Sequence, residues 1–355
     1  MKMFTGWLRK RCIAFFRLER GLALVGLLLL SLFAAACGNE TAKAPNAETK
    51  ANKPDLPPGA YEIVDARGDT VRIPAIPKRV LTFTTGADEI VLGLVKPDRM
   101  IAVNQDFVDP GHSNVAALAK QVPNTIERNP TVERVAALQP DLVIVQDWIA
   151  MDKVQSLRDL GIPVVVSRTP RSIDDVRTTI HLIADSLGET KRGDDLVALM
   201  DKELIALQAR LNEVPLKEKG KTVALVSIMP AYGGAGSMFD DVIRAAGAQN
   251  AKALAGNRQG QAMTKEQFVA CDPDYIFLPS YNDPRTKEET YGAEYMNDPS
   301  LSGMKAVREN HLRYPWARYI YNISQNVVFG VQEAARMLYG EAFAQPPDRH
   351  LTVAE

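Results

Sequence analysis

Short apolar runs alternate with longer amphipathic stretches along most of this chain. Arg79-Val-Leu-Thr-Phe83, Met100-Ile-Ala-Val103, Leu142-Val-Ile-Val145 and Val164-Val-Val166 predict strands, with helical periodicity near 86–95, 132–139, 151–160 and 173–187. Runs that are apolar on both faces suit a parallel sheet covered by helices. Asp65-Ala-Arg-Gly-Asp-Thr-Val-Arg-Ile-Pro74 instead alternates around Arg-Gly-Asp and predicts a hairpin. From Thr190 to about Glu213, Leu196, Met200, Leu204, Leu207 and Leu211 share one stripe of a single helix, ~36 Å long at 1.5 Å per residue. The scheme then repeats with strand Thr222–Ser227, helix 239–247, strands Tyr275–Leu278 and Leu312–Tyr314, and a closing helix from about Ser324 to Tyr339. The pattern predicts two α/β lobes joined by one long helix.

A repeated phrase supports two similar lobes. Thr131-Val-Glu-Arg-Val-Ala-Ala-Leu-Gln-Pro-Asp-Leu-Val-Ile-Val returns as Thr264-Lys-Glu-Gln-Phe-Val-Ala-Cys-Asp-Pro-Asp-Tyr-Ile-Phe-Leu. In each copy Thr can cap a short helix, Glu sits in the first turn, where the helix dipole favours a carboxylate, and Pro-Asp breaks into a buried strand. Glu133 and Glu266 are therefore equivalent exposed positions.

The amino terminus sets the compartment. Six basic residues from Lys2 to Arg20 precede apolar Gly21–Phe33 and then Ala34-Ala-Ala-Cys37-Gly38, a secretory signal whose cleavage leaves Cys37 first. The junction resembles a bacterial lipobox, with Ala34 where Leu is usual, and implies that Cys37 carries lipid. The apolar core is short for a spanning helix, which needs roughly 20 residues. Residues 38–59 are polar, Pro-rich and free of aromatics, and read as a tether. Residues 1–36 hold six Lys/Arg and one Glu, a net +5, so the full chain's −1 becomes −6 in the mature protein. Nothing basic then remains to hold nucleic acid. Cys12 leaves with the signal, so Cys271 is the lone thiol and is expected to be buried and inert.

Taken with the paired Glu-x-x-x-Ala-x-x-Pro-Asp phrases, Phe239-Asp-Asp-Val-Ile-Arg-Ala-Ala-Gly-Ala-Gln-Asn250 and Val327-Val-Phe-Gly-Val-Gln-Glu-Ala-Ala-Arg-Met-Leu-Tyr339, the chain resembles the class III periplasmic binding proteins. These are substrate-binding subunits of ABC importers for iron–siderophores, cobalamin and haem. The resemblance covers roughly residues 61–343. It implies an α/β fold of two Rossmann-like lobes with parallel sheets, joined by one long α-helix, with the ligand cleft between the lobes. The implied order is signal peptide 1–36, tether 37–60, first lobe 61–188, linking helix 189–214, second lobe 215–343 and tail 344–355. It also implies that Glu133 and Glu266 dock on arginines of a permease dimer that works with an ATPase, and two separated carboxylates suit that task. The expected protein is a monomer in the cell envelope, on the periplasmic or external face and lipid-anchored to the membrane through Cys37. It is a carrier and not an enzyme, with a metal chelate as cargo and no cofactor.

Residues that follow strand ends should line the cleft, as ligand sites in open α/β sheets do. In the first lobe these are Thr84, Thr85, Asn104, Gln105, Phe107, Arg128 and Trp148. In the second they are Met229, Tyr232, Gly233, Tyr281, Trp316, Arg318, Tyr319 and Tyr321. The ligand-binding set expected from them is Phe107, Arg128, Trp148, Tyr232, Tyr281, Trp316, Arg318 and Tyr319. Aromatics clustered with Arg suit a large, partly apolar anion, with a ferric siderophore expected first and a corrinoid or haem as alternatives of the same importer type. Haem-binding relatives place a Tyr before a Pro in the loop after the second first-lobe strand, whereas this loop reads Asn104-Gln-Asp-Phe-Val-Asp-Pro110.

Other chemistry is poorly represented. His112, His181, His311 and His350 are scattered, which argues against a three-His metal site, so any iron should arrive already chelated. Gly233-Gly-Ala-Gly-Ser237 lacks a P-loop Lys, and Asp240-Asp241 reads as first-turn helix acids. No Gly-x-Ser-x-Gly or His-Glu-x-x-His motif occurs. A surface receptor or adhesion lipoprotein is a further reading, hinted at by Arg-Gly-Asp and the anchor.

Overall fold

The computed structural model describes residues 56–281 and 297–355; the expected signal peptide, Cys37 and most of the tether lie outside them. Strand β1 (Tyr61–Val64) pairs antiparallel with β2 (Thr70–Ile73) as the predicted hairpin. Its Arg-Gly-Asp turn is tied into the first lobe. Asp65 Oδ1 accepts from the Arg67 and Asp69 amides, while Arg158 bridges Asp65 and Asp69 at 3.0 and 2.8 Å.

The first lobe carries β3 (Val80–Thr82), β4 (Met100–Asn104), β5 (Thr125–Ile126), β6 (Leu142–Gln146) and β7 (Val164–Ser167). They form one parallel sheet in the order β5-β4-β3-β6-β7. The second lobe carries β8 (Thr222–Leu225), β9 (Gln249–Asn250), β10 (Tyr275–Phe277) and β11 (Leu312–Arg313), parallel in the order β11-β10-β8-β9. In each lobe the first strand of the parallel sheet lies inside it, and the chain winds outward first to one side and then to the other. The order therefore reverses between β3 and β6 and between β8 and β10, and a crevice opens beyond the carboxyl ends of strands at such a point.

Helix Thr190–Asn212 joins the lobes with 23 residues, ~34 Å by its rise, and buries Leu196, Met200, Leu207 and Leu211 as the predicted stripe requires. It packs on helices Thr85–Leu94, Ile173–Ser186 and Val327–Tyr339. Gly193 permits the closest of these approaches, because a Cβ there would stand 2.6 Å from Ala184 Cβ. One apolar core consequently runs from Ile90 and Ile180 of the first lobe through Leu196 and Met200 to Phe239 and Phe329 of the second. Each sheet has a second, private core on its other face, around Val143 and Val154 in the first lobe and around Phe268 and Ile276 in the second. Lobes that share a core are coupled over a wide area, so closure can have only modest amplitude.

The carboxyl end departs from expectation. Residues 344–355 were expected as a polar tail, but they return to the first lobe and pack there. Leu351 is buried, the Val353 amide donates to Gly93 O at 2.8 Å, and Arg349 pairs with Glu203 of the linking helix at 2.8 Å. The apolar Leu351 and Val353, spaced two apart, are what the sequence reading overlooked.

Candidate ligand cleft

The carboxyl ends of the two sheets face each other. The loop after β4 meets the segment after β10 so closely that a Cβ on Gly111 would stand 2.1 Å from Tyr281 O, and the rings of His112 and Tyr281 lie 4.6 Å apart. The loops beyond the carboxyl ends of the two sheets therefore touch, and the candidate cleft is the space between the lobes beside this contact.

On the first lobe, Thr84 lies just beyond β3 and caps helix Thr85–Leu94, its side chain accepting from the Ala87 amide. Buried Asp88, in that helix's first turn, accepts from Thr82 Oγ1 and from the Asn104 amide at 2.7 Å, which locks the ends of β3 and β4 together. Burial raises its pKa well above the usual carboxylate range, against the opposing pull of those hydrogen bonds. Beyond β6, Trp148 remains 44 % exposed, its Nε1 donating to Gln146 Oε1 at 2.9 Å and the Arg128 guanidinium lying 5.5 Å from its ring centroid. The indole is fixed in orientation yet presented to solvent.

The second lobe contributes a ladder of phenols. Tyr321 donates to Ser227 Oγ at 3.0 Å, with Tyr232 at 5.6 Å and Tyr281 at 6.4 Å between ring centroids. Burial pushes the hydroxyls of Tyr232 and Tyr321 well up in pKa, so both stay neutral phenols. Ile228 and Met229 follow β8 and are exposed.

Three expected ligand contacts are not presented to the crevice. Phe107 and Tyr319 are 1 % and 3 % exposed and belong to the shared core, as amphipathic loop and helix positions must when the lobes pack this tightly. Arg318 is 7 % exposed; its guanidinium lies over Trp316 at 4.4 Å and Tyr319 at 5.1 Å, and it donates to Pro110 O and Asp348 Oδ1, each at 3.1 Å. Arg318 therefore fastens the first lobe's loop and the returning tail to the second lobe. Trp316 is half-buried beneath it, its amide donating to Glu333 Oε1 at 3.1 Å. Arg128 and Trp148 are exposed beyond β5 and β6, and Tyr281 meets His112 of the first lobe, whereas the Tyr232 hydroxyl is buried. His112, Met151, Ser227 and Ile228 also follow strand ends and were not among the expected contacts. The Gly233–Ser237 turn offers little to an anion, since the Gly236 amide already donates to Asp240 Oδ2 at 3.2 Å.

On the outer surface, the repeated phrase folds the same way twice. Thr131 caps helix Val132–Ala137 with φ −72° and ψ 159°, and Thr264 caps helix Lys265–Cys271 with φ −71° and ψ 164°. Glu133 and Glu266 are exposed, and hydrogen bonds from their own amides and from the capping Thr hold each carboxyl below its usual pKa. Both are therefore fixed, ionised charges. Cys271 is half-buried with Sγ 3.8 Å from Met263 Sδ, and burial raises its thiol pKa, as suits an unreactive cysteine.

The family pattern described as periplasmic binding protein matches residues 80–317, from β3 to the helix beginning at Ala317. The chain belongs to that family. Among curated relatives of this binding protein is an uncharacterized ABC transporter substrate-binding lipoprotein, YvrC, of Bacillus subtilis (strain 168), 25% identical over 326 residues that span 90% of this chain and 97% of the relative. The iron(3+)-hydroxamate-binding protein YxeB of the same organism is 23% identical, covering 83% of this chain and 89% of its own. Among solved structures, the periplasmic heme-binding protein RhuT from Roseiflexus sp. RS-1 superimposes with a TM-score of 0.63 at 20% identity, over 76% of this chain and 99% of RhuT. The binding-protein fold accounts for the paired lobes, their parallel sheets and the long joining helix.

Proposed function

We propose that this chain is the lipid-anchored substrate-binding subunit of an ABC importer and carries a ferric siderophore in the crevice between its lobes. Processing at Cys37 would tether it on the extracytoplasmic side, and Glu133 and Glu266 would seat the two lobes on a permease dimer. The observation that carries the reading is the contact between the loops beyond the carboxyl ends of the two sheets, with an oriented indole on the first lobe and a cluster of tyrosine rings on the second that suit a large, partly apolar chelate. The lipoprotein and iron-hydroxamate relatives support the same reading. Nothing in it requires a bond to be made or broken; the work is capture, small closure and handover.

The test pairs binding with delivery. Ferric siderophores, cobalamin, haem and molybdate are titrated against the protein, with recovery of intact ligand. A ferric siderophore should bind at sub-micromolar concentration, and the loaded protein should stimulate ATP hydrolysis by the reconstituted cognate importer. Glu133→Ala with Glu266→Ala should abolish stimulation while leaving affinity unchanged. Binding by another class alone would reassign the cargo, and stimulation that survives the double substitution would remove the docking role.

A further inference from the structure

We infer that the returning carboxyl end belongs to the binding machinery: it is a strap that positions the first-lobe loop beside the cleft, residues 109–114, and so slows the escape of bound ligand. The loop turns sharply on itself. Asp109 Oδ1 accepts from the Gly111 amide at 2.8 Å, and Asp109 O accepts from the amides of His112 and Ser113, each at 3.0 Å. These bonds fix the shape of the turn but not its place against the second lobe. Its place is set from outside. His112 meets the Tyr281 ring, and the loop is further held through the carboxyl end: Arg318 donates to both Pro110 O and Asp348 Oδ1, each at 3.1 Å, while buried Asn114 donates through Nδ2 to Arg349 O.

The strap is itself anchored to both lobes and to the helix between them. Arg349 pairs with Glu203 of the linking helix at 2.8 Å and lies 4.4 Å over the Phe329 ring of the closing helix. Gln325 Nε2 donates to Leu351 O at 3.1 Å, and the Val353 amide donates to Gly93 O of the first lobe at 2.8 Å. A segment bonded on all these sides resists movement of one lobe against the other, because displacement breaks several contacts together. Asp348 is where strap and loop are coupled. Its φ of +60° is a left-handed conformation that a non-Gly residue holds at some cost, and among the described residues it is the one ion-pair partner of Arg318, which is 7 % exposed. Arg318 Nε is already buried without a hydrogen-bond partner. Losing Asp348 would leave a buried cation uncompensated, so the guanidinium would shift toward water and loosen its hold on Pro110.

Amide exchange of the full-length protein in detergent tests the strap without any ligand. Asp348→Asn keeps the size and the tolerance of a left-handed backbone while removing the charge. Glu203→Gln loosens the strap at the linking helix, away from the loop. Exchange at the hydrogen-bonded amides of His112, Ser113 and Val115 should quicken at least about fivefold in Asp348→Asn and about twofold in Glu203→Gln. Gly161→Ala, a strained change in open space elsewhere on the first lobe, should leave those amides at the wild-type rate. The effect on ligand presupposes that the protein is a carrier, and stopped-flow release of ferrichrome, a ferric trishydroxamate, should accelerate in the same order. Loop exchange unchanged by both strap variants, or quickened equally by Gly161→Ala, overturns the strap. Faster loop exchange with unchanged ferrichrome release overturns its part in holding ligand. A wild-type protein that takes up no ferrichrome counts against the siderophore cargo, while exchange at the loop still decides the strap.

Discussion

Asn322 Nδ2 donates to Glu89 Oε2 at 2.6 Å across 233 positions of sequence, and Ser324 Oγ donates to the same oxygen. Glu89 lies on the first lobe's helix Thr85–Leu94 and is 3 % exposed, so the segment before the closing helix stitches the lobes together through a buried carboxyl group. Removing one donor leaves that oxygen short of a partner without restoring water. Asn322→Ala should therefore cost about 1–3 kcal/mol of stability. For a protein of this size that lowers Tm by roughly 2–4 °C per kcal/mol, readable by calorimetry. An unchanged Tm would mean the bond contributes nothing at this interface.

The same carboxyl group sets a pH dependence. Burial raises the Glu89 pKa from 4.5, against the opposing hydrogen bonds from Ser324 and its neighbours, and Asp88 beside it is raised further by its own burial. A group that binds its proton more tightly when folded stabilises the protein fully below the unfolded pKa and loses that contribution as pH rises through the folded value. Glu89→Gln, which keeps the shape without the charge, should flatten the fall in denaturation midpoint as pH rises above 4.5. A wild-type slope retained by the variant would assign the dependence to other groups, Asp88 first.

The strands, the linking helix and the hairpin could be read from the sequence because each shows its period over enough residues, as with Leu196, Met200, Leu207 and Leu211. Strands β5 and β9, of two residues each, have no period to read and exist because neighbouring strands supply their partners. The paired glutamates were equally legible, since identical caps impose identical local geometry. The crevice itself was only half legible. Position after a strand end picks out Trp148, which is exposed, and Tyr281, whose ring meets His112, but it cannot tell an outward side chain from one turned to the shared core, where Phe107 and Tyr319 lie. Arg318 was misread because its partners, Pro110 and Asp348, lie far from it in sequence, and only the fold brings them within 3.1 Å.

The returning carboxyl end should loosen in acid. The Leu351 amide donates to Asn326 Oδ1 at 2.8 Å, which fixes that amide with Nδ2 toward His350 Nδ1 at 3.0 Å. His350 Nε2 lies 3.3 Å from Leu92 O, so Nε2 carries the proton and Nδ1 must accept. A second proton would be buried and would point at a donor. Burial is accordingly the main reason the pKa falls from 6.5 to about 4, with the Leu92 carbonyl pulling the other way. A depressed folded pKa contributes stability above the unfolded value and loses it as pH falls through the folded one. Amide exchange at Leu351 and Val353, corrected for its intrinsic rate, should quicken as pH drops from 6.5 toward 4, and His350→Gln should remove most of that trend. Protection that is flat with pH would show that His350 does not hold the segment.

The contact at Gly111 links packing to ligand capture. A side chain there cannot be accommodated by rotation, because the atom it would strike, Tyr281 O, belongs to the backbone, 2.1 Å from the position of Cβ. Gly111→Ala must therefore move the His112 loop away from Tyr281 and widen the crevice along that edge, breaking the 4.6 Å ring contact. Ligand contacts made from both lobes at once would be lost in part, so affinity should fall by about tenfold or more, mostly through faster dissociation. Gly161→Ala gives the comparison. That residue has φ +79° with open space around it, so the change costs about 1 kcal/mol of backbone strain and leaves the crevice untouched. Stopped-flow dissociation of the two variants separates the effects: a fast off-rate confined to Gly111→Ala assigns it to lobe spacing, whereas equal acceleration in both would assign it to lost stability.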